Sequence, residues 1–222
     1  MQTLDPQLRS GLTALNLTLT EPQVAALMAY LALIQKWNKV YNLTAVRDPQ
    51  EMLTHHLLDS LAVIAPLRRQ LETMAQTSVG GWRLLDVGSG AGLPGVVIAI
   101  CCPDIRVDCV DTVGKKAAFI QQAAVTLKLA NLRGVHARVE SLTESYQVIS
   151  SRAFASLLDF TSWSRQALAE QGIWMAMKGK HPADELAALP SDIQMFHVEP
   201  LTVPGLDAER CLLWLRGQAG IT

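Results

Sequence analysis

The sequence predicts an α/β fold: a mostly parallel, seven-stranded sheet ending in an antiparallel C-terminal hairpin, preceded by a helical element. Three observations predict it. Apolar residues recur at three- and four-residue steps up to about residue 80, and from Trp82 onward short β-rich runs alternate with helical patterns. Between the first such run and the apolar segment VVIAI lies a glycine-rich turn, in LLDVGSGAGLPG (Leu84 to Gly95).

The helices come first. Thr20-Glu21-Pro22-Gln23 is a capping box with proline in the first turn, and Val24, Leu27, Met28, Leu31 and Ile34 form one apolar stripe that continues towards Trp37. Asp48-Pro49-Gln50-Glu51 repeats the device, followed by the stripe Met52, Leu53, Leu57, Leu61 and Ile64, which Pro66 is expected to end. Residues 1–80 are therefore expected to be a helical element, closed by the linker AQTSVGG, with residues 81–222 forming the second domain. Within that domain RLLDVG, RVDCVD, GVHARV, YQVISS and GIWMAM are the parallel strands. IQMFHVEPLTV and CLLWLRG follow with no long helix between them, which makes them the hairpin at the sheet's edge. No internal repeat or low-complexity tract interrupts the chain.

Composition sets the bounds. Of the 222 residues half are apolar and 18% charged, below the roughly 25% of an average globular chain, so the chain should bury a core. The apolar runs are shorter than the roughly 20 residues of a membrane span. The N-terminus has an early acid and no basic n-region, so it does not read as a secretory signal; the expectation is a soluble, cytoplasmic protein. Cys101, Cys102, Cys109 and Cys211 form no C-x-x-C pair and sit among apolar neighbours, so they read as buried structural thiols, with no metal site expected. Net charge is −1, so any nucleic-acid contact must use local basic groups such as Lys36 with Lys39, Arg68 with Arg69, Lys115 with Lys116, and Lys178 with Lys180.

Two ligand patterns overlap in the glycine turn. Gly88-x-Gly90-x-Gly92 suits a methyl-donor nucleotide, whereas Gly90-x-Gly92-x-x-Gly95 suits a dinucleotide. Asp86, at the end of its strand, would repel a diphosphate and attract the sulfonium and ammonium of S-adenosylmethionine. Pro94 removes one N–H that a diphosphate would use. Asp111, 19 residues after Gly92, ends the second strand where a ribose acceptor belongs. Both ligands carry that ribose, so Asp111 does not discriminate between them.

Several longer stretches resemble one family. KWNKVYNLTAVRDPQEMLTHHLLDSL, LLDVGSGAGLPGVVIAI, GKKAAFIQQ, VESL, ISSRAFASL and MKGK are similar to the bacterial small-subunit ribosomal RNA methyltransferase G family, also called glucose-inhibited division protein B. The resemblance runs from about residue 20 to the C-terminus. It implies a class I S-adenosylmethionine-dependent methyltransferase (Rossmann-like) fold and methyl transfer to N7 of a guanine in a loop of 16S ribosomal RNA. It implies a donor site of Gly88 and Leu93, of Val139-Glu140 after the third strand, and of Arg152 in SSRAF; Asp86, Gly90, Gly92 and Asp111 join on the argument from the turn. The family usually shows Gly-Pro-Gly where this chain has Gly90-Ala91-Gly92, and often an arginine at the place of His55.

Guanine N7 holds an in-plane lone pair, so no base is needed, and no catalytic residue is assigned; Arg152 and Lys178 are the positioning candidates. Arg138, Phe154, Lys178, Lys180 and His56 are the candidates for RNA contact. Phe154 is the base-stacking candidate, whereas Trp37 and Tyr41, with Asn42 beside them, are expected to pack between the helical element and the core. Where amine methyltransferases carry Asn/Asp-Pro-Pro-aromatic, this chain has Ser151-Arg152-Ala153-Phe154, and in CCPD the proline follows the thiols, unlike the prolyl-cysteine motif of cytosine C5 enzymes. The expected partner is 16S ribosomal RNA or the small ribosomal subunit, with no DNA and no membrane, and the expected state is a monomer. The rival readings are an NAD-linked oxidoreductase, a non-catalytic RNA-binding module of the ribosome, and a small-molecule methyltransferase.

Overall fold

The computed structural model describes residues 4–74, 81–154 and 156–218. The N-terminal part is helical: α1 (Asp5–Ala14), α2 (Glu21–Tyr41), α3 (Pro49–Met52), a π-helical segment (Leu53–Leu58), α4 (Asp59–Leu61) and α5 (Ile64–Thr73). The capping box forms as expected: the Thr20 hydroxyl accepts from the Gln23 N–H while the Gln23 side chain accepts from the Thr20 N–H. Asp48 likewise caps α3, accepting from the N–H groups of Gln50 and Glu51. Pro66 does not end the helix. The break falls at Ala62 and Val63, and Pro66 sits in the first turn of α5, where its missing N–H costs nothing. The linker assigned to AQTSVGG lies outside the described residues except for Gly81.

The rest alternates: β1 (Trp82–Val87), α6 (Gly95–Cys101), β2 (Ile105–Asp111), α7 (Gly114–Thr126), β3 (Leu132–His136), β4 (Tyr146–Arg152), α8 (Leu157–Ser164), β5 (Leu168–Lys178), α9 (Ala183–Ala187), β6 (Ile193–Pro200) and β7 (Cys211–Gly217). The sheet has seven strands in the order β3-β2-β1-β4-β5-β7-β6. The first five are parallel and β7 runs antiparallel to both β5 and β6, which is the terminal hairpin expected from sequence. The third strand starts two residues before GVHARV, at Leu132, and stops at His136.

Alternate strand residues feed two cores. Leu84, Val107, Val148, Met175 and Trp214 face α1 to α7, whereas Leu85, Val110, Ile149, Trp174 and Leu213 face α8. The N-terminal helices thus share one continuous apolar cluster with the sheet. The aromatic residues join them as expected for Trp37, whose ring meets Phe119 of α7 edge-on at 5.4 Å. Tyr41 stays partly exposed beside Trp37, and Asn42 takes the left-handed conformation that terminates α2. All four cysteines are buried, and burial pushes their thiols up, Cys102 to about 11.

Candidate functional site

The glycine turn sits where β1 ends, at the carboxyl edge of the sheet, the usual ligand edge of such folds. Gly88, Gly90 and Gly92 all have positive φ, a region that costs a side chain, so the turn is available to glycine at these places. Gly95 answers a different need: a Cβ there would collide with the Cys109 sulfur, and α6 starts in close contact with the sheet.

The turn spends its N–H groups on itself. Those of Gly88 and Ser89 go to the Val110 carbonyl at 2.9 and 3.3 Å, and that of Gly90 goes to the Asp111 carboxylate at 3.0 Å. Gly92 and Leu93 donate to the Ser89 carbonyl at 2.8 and 3.0 Å, and Gly95 donates to Asp86 at 3.0 Å. A diphosphate needs a row of free donors, and this turn does not present one. The preference for a methyl donor over a dinucleotide, drawn from the charge of Asp86, thus has a second ground in the backbone.

Asp86 is fully buried behind the turn, bonded also by the Ser150 hydroxyl at 2.8 Å, and burial raises its pKa to about 6. The turn has a further brace that sequence reasoning missed. The hydroxyl of Tyr30, on α2, donates to the Ala91 carbonyl at 2.5 Å and reaches that of Gly92 at 3.2 Å. Its signal was Tyr30's place on the apolar stripe, three residues after Leu27.

In front of the turn opens a cavity of about 480 Å³ whose walls include Gly88, Asp111, Thr112, Arg138, Val139, Glu140, Phe154 and Trp163. Asp111 is held by the N–H groups of Gly90 and Val113, at 3.0 and 2.8 Å, and each oxygen keeps a lone pair for a ligand. Its own N–H and then Arg138, at 3.0 Å, hold Glu140 below the usual carboxylate range. Phe154 meets Trp163 edge-on at 5.6 Å, and Trp163 is 43% exposed at the mouth. Trp163 was not singled out from sequence, since it lies on α8 with no motif around it.

A second cavity, about 350 Å³, opens beside the first and contains His55, His56, Asp59, Arg152, Ala153, Lys178 and Arg210 in its walls. The two are separated by the chain leaving β4, with Arg152 and Ala153 on one side and Phe154 on the other. Arg152 donates to Asp59 at 2.9 Å and to the His55 carbonyl at 2.8 Å, and Lys178 pairs with Glu185 at 2.8 Å. His56 is buried with Nε2 2.8 Å from the Thr44 hydroxyl. Burial, and next the charge of Arg152, push it down to about 4, so it is neutral at pH 7.

The sequence-predicted residues therefore fall into three places. Gly88, Asp111, Val139 and Glu140 meet in the first cavity, with Arg138 at its rim and Phe154 in its wall. Asp86, Gly90, Gly92 and Leu93 shape the turn from behind, and Arg152, Lys178 and His56 line the second cavity. Lys180 is exposed and two residues beyond Lys178, in neither wall. Among the described residues no group of His, Cys, Asp and Glu could hold a metal ion.

Comparison with known proteins follows the same line. The family described as rRNA small subunit methyltransferase G matches residues 23–213. A relative from Acidovorax sp. (strain JS42), Ribosomal RNA small subunit methyltransferase G, is 69% identical over 94% of this chain and 93% of its own length. Among solved structures, TrmN from Thermus thermophilus is similar with a TM-score of 0.55 at 19% identity, covering 74% of this chain and 53% of that one. A SAM-dependent methyltransferase from Geobacter sulfurreducens, in complex with S-adenosyl-L-homocysteine, gives 0.52 at 11% identity, covering 72% of this chain and 90% of that one. These two likenesses concern the fold.

Proposed function

Because the chain belongs to the rRNA small subunit methyltransferase G family, we propose that it transfers the methyl group of S-adenosylmethionine to N7 of one guanine in a loop of 16S ribosomal RNA. The observation that carries the reading is the first cavity, which joins the glycine turn to two carboxylates and an aromatic pair. A pocket of about 480 Å³ is of the size that takes a nucleoside ligand. Gly88 offers bare backbone, and a Cβ there would meet the Phe154 ring at 3.4 Å. Asp111 accepts from ribose hydroxyls, Glu140 supplies a second acceptor, and Phe154 with Trp163 gives apolar faces for a purine. The residues present fit the group.

S-adenosylmethionine, when bound, supplies an electrophilic methyl on a sulfonium. The chain's own task is to bring the guanine N7 lone pair into line with that methyl and to exclude water. No proton is removed from N7 before attack, so none of the described side chains has to act as a base. The product ring is cationic, and in this cavity Asp111 faces Lys116 at 3.8 Å and Glu140 pairs with Arg138 at 3.0 Å, so the paired charges leave it near neutral. The residues proposed to hold the donor are Gly88, Asp111, Val139, Glu140 and Arg152, with Asp86, Gly90, Gly92 and Leu93 shaping the turn. Arg138, Arg152, Lys178 and Lys180 are proposed to face RNA. The same reading implies a cytoplasmic enzyme, where ribosomes assemble, and no described helix is long and apolar enough to cross a membrane. The sequence expectation of a monomer goes with it.

The test is mass analysis of 16S RNA from cells with and without the gene, and of RNA treated with the purified protein and S-adenosylmethionine. The expected result is one extra methyl on a single guanine, at N7. Methylation of a base other than guanine, or of no RNA at all, would overturn the reading.

A further inference from the structure

The cations proposed to face RNA are mostly held by acids. Glu140 pairs with Arg138 and Glu185 with Lys178, and Asp59, only 3% exposed, accepts from both Arg152 and Arg210, each at 2.9 Å. A group of unpaired cations lies elsewhere on this edge, at the end of α2 and the start of α7.

Two contacts fix how α2 reaches that place. Gln23, in its first turn, donates to the carbonyls at the end of α6, and Tyr30, two turns on, reaches the glycine turn at the start of α6. α2 therefore runs antiparallel to α6, towards the ligand edge, and from Tyr30 to Tyr41 it rises about 16 Å further. α7 begins at the same edge, and its Phe119 meets Trp37 at 5.4 Å. Lys115 lies one turn outward of Phe119 on α7, and Tyr41 one turn outward of Trp37 on α2, so the two helix ends come together beyond that contact.

Neither stretch holds an acid: no Asp or Glu occurs from Pro22 to Arg47 or from Thr112 to Val139. Lys36, Lys39 and Lys115 are exposed and have no ion-pair partner among the described residues, and Lys116 faces Asp111 at 3.8 Å. Beside these lysines stand Val40, 70% exposed, and Tyr41, 41% exposed. The Tyr41 ring leans on Trp37 with centroids 5.0 Å apart, so Trp37 holds it in place while its open side meets solvent. On a chain of net charge −1, lysines interleaved with a supported aromatic ring and free of acids suit a single nucleic-acid strand, with cations for phosphates and a ring for a base.

We propose that Lys36, Lys39 and Tyr41 of α2, with Lys115 of α7, form a second RNA-binding surface. It holds single-stranded RNA flanking the target guanine, with phosphates on the lysines and one unpaired base on the Tyr41 ring. The proposal rests on the ribosomal RNA methyltransferase reading, which puts the strand across this edge of the sheet.

The experiment titrates the full-length protein with a guanine-containing single-stranded RNA at several salt concentrations, and separately with S-adenosylmethionine. In the double variant Lys36→Gln, Lys39→Gln, the loss of two phosphate contacts should flatten the slope of log affinity against log salt by about 1.4 and weaken binding about 20-fold at roughly 0.1 M salt, with donor affinity unchanged. Tyr41→Ala should bind RNA about tenfold more weakly at an unchanged slope, and Tyr41→Phe, which keeps the ring, should bind as the parent does. Parental RNA affinity and slope in the lysine variant would overturn the proposal, and so would a loss that falls on the donor. Parental RNA binding together with lost binding to small ribosomal subunits would also overturn it, since the face would then belong to a ribosomal protein. Both lysines are exposed, so their variant decides the matter should Tyr41→Ala fail to fold. A parental protein that transfers no methyl group, but whose salt slope the lysine variant flattens as expected, would refute the function and leave the surface standing.

Discussion

Asp86 and His56 are both buried, and burial acts on them in opposite directions. The carboxyl of Asp86 is raised to about 6, so between roughly pH 4 and 6 the native state holds more protons than the unfolded chain and stability falls as pH rises. The imidazole of His56 is lowered to about 4, so between there and about 6.5 the native state holds fewer protons and stability rises with pH. The two contributions offset each other over the same interval. Asp86→Asn, which can keep the bond from the Gly95 N–H, should therefore make the melting temperature climb more steeply from pH 4 to 6 than it does in the parent. His56→Gln should tilt the profile downward across that range relative to the parent. Thermal unfolding at a series of pH values checks both, and parallel profiles for all three proteins would contradict the assignment.

At the scale of elements, α2 is tied to the site by its first turn and by its middle. The Gln23 amide, besides closing the capping box, donates to the Ile100 and Cys101 carbonyls at the end of α6, at 3.0 and 3.3 Å. Thr20→Ala should cost about 1 kcal/mol, the ordinary worth of a cap. Gln23→Ala should cost more, because carbonyls of a second helix lose their partner too. Denaturant unfolding ranks the two. Tyr30→Phe removes the bond to the turn and leaves the buried Ala91 carbonyl without its donor, a loss of about 1–3 kcal/mol. Its expected signature is weaker binding of S-adenosylmethionine with unchanged secondary structure by circular dichroism. Donor affinity equal to the parent's would mean the turn holds its shape without α2.

For the whole molecule, the sequence expectation of a helical element and a separate domain is the part that needs a physical test. Leu27, Tyr30, Leu31, Ile34 and Leu57 share one buried cluster with Val96, Val97, Ile98 and Phe119. We predict that residues 75–222 expressed alone will be insoluble or molten, since removing the helices uncovers that face; a cooperative thermal transition in the fragment would refute this. The sheet, its hairpin and the helix caps were legible because they follow from period, turn chemistry and short-range capping. The glycine turn with Asp111 was legible for the same reason. Asp59, Arg210, Tyr30 and Trp163 were not, since their roles arise from pairings that the chain makes across tens of residues. The π-helical segment escaped notice as well, because its apolar residues keep the spacing of a normal helix.

That segment gives the site an unusual sensitivity to length. An α-helix advances about 100° per residue, so deleting one residue between Leu53 and Leu58 would restore a regular ladder and swing everything after it by roughly that angle. Asp59 would then face away from Arg152 and Arg210 although every side chain of the pairing remained in the gene. Point changes here can be graded, while a single lost codon is a rotation.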